Sequence, residues 1–142
     1  MNTTATVTAG AVTFVWLGMV LAISFVEAPL KFRAPGVTIP LGLGIGRLVF
    51  RALNLIEVVL CVAVIVAVVA SDASGVAAGA TSAAAVLLAA QLGIVRPRLN
   101  RRTDRVLAGE NLPRSRGHLY YVALELAKVF ALLVLGVSVL TG

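Results

Sequence analysis

The stretch RLVFRALNLIEVVLCVAVIVAVVA, residues 47–70, decides the fold. Beyond Leu53 it holds Asn54 and Glu57 as its only strongly polar side chains, set among Val, Leu, Ile and Ala. An uninterrupted apolar run of about 20 residues is the length that crosses a hydrocarbon layer of roughly 30 Å. Inside that layer the backbone must satisfy its own hydrogen bonds, so the run is a helix.

Working outward, the same pattern recurs three times. A first span runs over residues 10–30, a third over 75–95 and a fourth over 118–140. The first is read as a retained helix: residues 1–9 carry no Lys or Arg, so the positive segment of a signal peptide is missing. Pro29 is expected to kink or end it. The third span is built from Ala77, Ala78, Gly79, Ala80, Ala83, Ala84 and similar small residues, which let helix backbones approach closely in lipid. Residues 71–74 form a short polar turn. Residues 31–46 and 96–117 read as basic connections, the first with Gly42, Gly44 and Gly46 in alternation.

Composition agrees. The chain of 142 residues is 60% hydrophobic and 13% charged, with a mean hydropathy of +1.03. Soluble domains average about 45–50% apolar and about a quarter charged. The fold class is therefore all-α: a four-helix transmembrane bundle forming a single domain. A net charge of +6 invites nucleic acid as a partner. The distribution excludes it, because every Lys and Arg except Lys128 lies in or beside the two basic connections. The opposite side carries only Asp72. The positive-inside rule then places both connections in the cytoplasm and both termini outside, in a multi-pass protein of the cell membrane.

The polar residues inside the spans carry the functional information, since intramembrane charge is costly. On the fourth span His118, Tyr121, Glu125 and Lys128 are spaced i, i+3, i+7, i+10, one face of a helix. On the second, Asn54, Glu57 and Cys61 share a face. Depth along the helices brings Glu57 level with Lys128, and Glu125 level with Arg51 or Asn54. With Glu27 at the end of the first span and Gln91 near the end of the third, these residues outline a polar cavity open to the cytoplasm. The expected lining is Glu27, Arg51, Asn54, Glu57, Gln91, His118, Tyr121, Glu125 and Lys128. The alternative is that the charges are ion pairs that only fix helix register. Arg47, behind the glycines, is a candidate for a lipid headgroup.

Other chemistries are set aside. The 42–46 glycines fit neither nucleotide-binding spacing, and no strand precedes them. Haem and metal sites are not expected: His118 is the only histidine, and Arg51 and Lys128 oppose a cation among Glu27, Glu57 and Glu125. Cys61, the only cysteine, reads as a small buried hydrophobe. Tyr120 and Tyr121 read as an aromatic belt, and Trp16 as membrane packing. No nucleophile–base arrangement is visible, so an enzyme is not expected, and no cofactor.

Two motifs suggest a family. The first span ends Phe25-Val26-Glu27-Ala28-Pro29-Leu30-Lys31-Phe32, and the second opens Gly46-Arg47-Leu48-Val49-Phe50-Arg51-Ala52-Leu53-Asn54. This pair resembles the DUF4149 or TMEM205-like group of small four-helix membrane proteins, as does the His118 start of the last span. The resemblance implies the four-helix architecture and carries over no catalytic residue. Glu27 departs from the pattern by adding an acid to the proline motif. The sequence thus leaves two functions: a small binding or transport protein using the polar cavity, or a non-catalytic scaffold subunit of a membrane complex. Either is expected to self-associate or to bind a partner membrane subunit.

Overall fold

The computed structural model describes residues 2–110 and 117–142, and among them all regular structure is helical, with no strand. Four helices are long and apolar enough to span a membrane: α1 (Thr3–Arg33), α2 (Ile39–Ser71), α3 (Gly75–Leu107) and α4 (Gly117–Thr141). α1 packs against α2 and α4, α3 packs against α4, and α2 borders α3.

Local chemistry sets the ends. Asn2 caps α1, its side chain accepting from the Ala5 amide at 3.2 Å. Thr38 caps α2 by accepting from the Leu41 amide at 3.3 Å, and Pro40 sits in the first turn, where its missing N–H costs nothing. α2 stops at Asp72, whose φ of 55° turns the chain left-handed. Ser74 then caps α3 through the Ala77 amide at 3.2 Å. The turn between α2 and α3 is thereby held to a few residues.

Three expectations need correction. Residues 39–46, read as a glycine-rich loop, are the first two turns of α2. The Thr cap followed by a first-turn proline was the signal for this, and it outweighs the glycines. Residues 96–107, read as a basic loop, are helical as well. Pro97 opens that segment, and its arginines tolerate a helix whose outer side is polar. Residues 111–116 of that connection, including Arg114 and Arg116, lie outside the described residues. Pro29 neither ends α1 nor breaks it. α1 widens into a π-helical turn over Leu21–Glu27 just before the proline, and α3 does the same over Gln91–Val95 just before Pro97. A proline cannot donate to the carbonyl four residues back and crowds it. One extra residue per turn relieves both problems: the Ala28 amide donates to Ile23 and the Arg96 amide to Gln91, each five residues back.

The glycines of α2 have a packing role. A Cβ on Gly42 would collide with the Phe32 ring, and one on Gly46 would lie 2.9 Å from the Lys31 Nζ, whereas Gly44 faces open space. Gly42 and Gly46, one turn apart, let the end of α1 lie close to α2. Gly44→Ala is expected to stabilise the fold by about 0.5–1 kcal/mol through helix propensity. Gly42→Ala is expected to lose about 1 kcal/mol or more by overpacking. Paired thermal melts in detergent check the contrast, which disappears if the Phe32 contact carries no weight.

The bundle is apolar outside as well as inside. Leu48, Leu55, Val59, Val62, Val66 and Val69 are exposed along α2, as lipid-facing positions are. The core is Trp16, Val20, Val64, Leu132 and Leu135, with Ala77, Ala80 and Ala84 of α3 buried against it. Half of the small residues of α3, including Ala78, Gly79 and Ala83, face outward.

Candidate functional site

Lys128 is fully buried. It lies about 20 Å along α4 from Thr141, at 1.5 Å per residue. Glu57 lies about 21 Å from Ser71 along α2, and Gln91 about 24 Å from Gly75 along α3. These levels agree, so the three side chains meet in the interior. An ammonium has three donors, and Lys128 meets three side chains, two through hydrogen bonds and one through an ion pair. Its Nζ forms a short ion pair with Glu57 Oε1, lies 2.5 Å from Glu125 Oε1, and donates to Gln91 Oε1 at 2.7 Å.

The surrounding groups complete the network. Trp16 Nε1 donates to Glu57 Oε1 at 3.0 Å. Ser24 Oγ donates to Glu125 Oε2 at 2.7 Å, and Gln91 Nε2 donates to Glu125 Oε1 at 3.3 Å. All four helices contribute. The two π-helical turns supply Ser24 and Gln91, one from each side of the Glu125–Lys128 pair. Widening the turn swings a side chain off the regular helical spacing, and here it brings both polar groups inward. The centre holds two carboxyls for one ammonium, so it is electrically neutral only with one proton added. Glu57 Oε2 is buried without a hydrogen bond, and Thr13 Oγ1 is likewise unpaired.

A cavity of about 790 Å³ adjoins this centre at the end of the bundle that carries the basic residues. Glu125 and Ser24 form its floor, Phe25, Phe32 and Phe50 are among its walls, and His118 stands at its rim. Phe50 and Tyr121 meet edge to face at 5.6 Å.

The expected lining therefore divides. Glu125, Tyr121 and His118 border the cavity, and so does Arg47. Glu57, Gln91 and Lys128 sit behind Glu125 in the closed centre. Asn54 is buried and accepts from the Tyr121 hydroxyl at 3.4 Å, a long bond. Glu27 faces Lys31 at 3.7 Å, half-exposed and apart from the centre. Arg51 is a correction: it is exposed, and among the described residues it pairs with no carboxylate. Glu125 takes Lys128 instead, one turn along its own helix. The headgroup candidate Arg47 is ion-paired with Asp104 of α3. Tyr121, read as belt, is 3% exposed, whereas Tyr120 is 61% exposed. Cys61 is buried in the core beside Val64.

The sequence reading missed Trp16 as a donor and Arg96 as part of the site. Arg96 lies 4.7 Å from the Phe50 ring centre and 4.5 Å from that of Tyr121. Its signal was available: the first residue of a basic run directly after an apolar span sits at the mouth of any cavity between the helices.

Fold and site together define an all-helical protein with four membrane-length helices around a buried Glu–Lys–Glu centre, and a cavity beside it. The chain matches no family model, no curated protein and no solved structure.

Proposed function

We propose that the chain is a multi-pass cell-membrane protein that binds or transports a small ligand through the cavity, with the Lys128 centre as the base of the site. The observation that carries this is the floor: Glu125 faces the cavity with one part of its carboxyl and holds the buried Lys128 with the other. A ligand or proton arriving at Glu125 acts directly on the charge balance of the interior. In this reading the basic end and the cavity lie in the cytoplasm and both termini outside, following the positive-inside rule. Membership of the DUF4149 or TMEM205-like group is part of the proposal. Its support is that Phe25, Pro29 and Phe32 of the first motif and Gly46, Arg47 and Phe50 of the second all border the cavity.

A second reading is a scaffold subunit whose charges only lock the helices. The engagement of Lys128 by Glu57, Gln91 and Glu125 favours it, since a closed ionic network is also what fixes a register. Native mass spectrometry of the chain purified in gentle detergent separates the two. The binding reading expects a stoichiometric small ligand or lipid on the wild type, depleted in Glu125→Gln, a change that keeps the side chain's shape, compared under conditions where thermal melts show both chains folded. An empty chain arriving with a fixed partner subunit, or as a bare oligomer, overturns it in favour of the scaffold.

A further inference from the structure

The charges around the cavity are unevenly committed. Lys31 is held near Glu27, and Arg47 is paired with Asp104. Arg96 has no carboxylate partner among the described residues, and its Nε is buried without a hydrogen bond. It is placed by packing against Phe50 and Tyr121. The Tyr121 hydroxyl interacts with this guanidinium, and with five N–H donors it has others to offer a planar or tetrahedral oxyanion. Among the described residues the only acid lining the cavity is Glu125, and both its oxygens are already engaged, by Lys128 and Gln91 on one side and by Ser24 on the other. An incoming cation therefore finds no free carboxylate and meets Lys31, Arg47 and Arg96. An anion finds Arg96. The walls add a second requirement, because Phe25, Phe32 and Phe50 offer apolar surface that a fully hydrated ion would leave unused. The volume of about 790 Å³ falls in the range of roughly 300–1,000 Å³ that holds one ligand of drug size.

We propose that the cavity takes an amphipathic anion, with a phosphate or carboxylate head on Arg96 and an apolar tail along the phenylalanine walls. This rests on the ligand-binding reading above and names its ligand class. The same chemistry is offered by a lipid with an anionic head and by a soluble acyl or alkyl anion.

The test uses the full chain in phosphatidylcholine nanodiscs, with empty nanodiscs to subtract partitioning. Octyl phosphate, octylamine, octyl glucoside and inorganic phosphate are titrated by calorimetry. Octyl phosphate is expected to bind saturably and at least about tenfold tighter than the other three, and Arg96→Gln to weaken it about tenfold, the loss of one charge-assisted contact. Native mass spectrometry from nanodiscs doped with phosphatidic acid identifies the source. Retained phosphatidic acid that octyl phosphate displaces assigns the site to a lipid; octyl phosphate bound without retained lipid assigns it to a soluble anion. Octylamine or octyl glucoside binding as tightly overturns the anion assignment and leaves a ligand site standing. Saturable binding of none of the probes overturns this inference along with the binding reading. An Arg96→Gln variant that melts with wild type and binds with unchanged affinity also overturns the assignment. Should that variant fail to fold, the comparison of the four probes on wild type decides.

Discussion

Lys128→Met is expected to destabilise the bundle by about 3–5 kcal/mol, the cost of leaving buried charge without its partner. The substitution keeps a long unbranched side chain but removes the only cation of the centre. Glu57 retains Trp16 as a donor, and Glu125 retains Ser24 and Gln91. Two carboxyls with no cation between them then occupy the same interior. Replacing a whole buried ionic group by neutral side chains is far milder than breaking it, because the desolvation cost disappears with the charges. The triple variant Glu57→Gln, Glu125→Gln, Lys128→Met is therefore expected to recover most of the loss. Thermal unfolding in a single detergent, followed by circular dichroism, compares the variants. A Lys128→Met protein that melts with wild type would show that Lys128 does not bear the ionic load assigned to it.

Trp16→Ala is expected to cost about 3–5 kcal/mol, and Trp16→Phe about 1.5–3 kcal/mol. The first figure is that of emptying a large aromatic site in a packed core, and Trp16 is 1% exposed. The second isolates the N–H, since the ring that remains fills most of the space while Glu57 Oε1 loses a donor to a charged group. Glu57 Oε2 is already unpaired, so the carboxyl is left with Lys128 as its one donor. The same melts separate the two terms. A Trp16→Phe protein that melts with wild type would mean that the ring alone matters and that the hydrogen bond to Glu57 contributes nothing.

Much of this site was legible because helical spacing is a local property. The face of Tyr121, Glu125 and Lys128 follows from the 3.6-residue period, and all three are buried. The Glu57–Lys128 pair followed from counting depth along two helices of known rise. The same counting failed for Arg51. At about 100° per residue, Arg51 stands about 120° around α2 from Glu57, off the inward face. On that side its long side chain reaches outward at little cost. The glycines of residues 42–46 misled in another way. Glycine and proline mark loops on average, but a capped first turn accepts both, and the approach of Phe32 to Gly42 supplies the reason for glycine there.

By itself the sequence determined the four apolar spans and the gathering of polar groups toward one end. These depend on composition and period, which neighbouring residues set among themselves. The tertiary structure alone decided the partners. Trp16 and Glu57 are 41 residues apart, and Ser24 and Glu125 are 101 apart. No local rule ranks such pairings against the other buried acceptors. The two π-helical turns belong to the same class of decision. A proline can be relieved by a kink, a break or a widened turn, and the choice falls to whichever one buries the freed side chain against a partner. Here that partner is the Glu125–Lys128 pair on α4, for both Ser24 and Gln91.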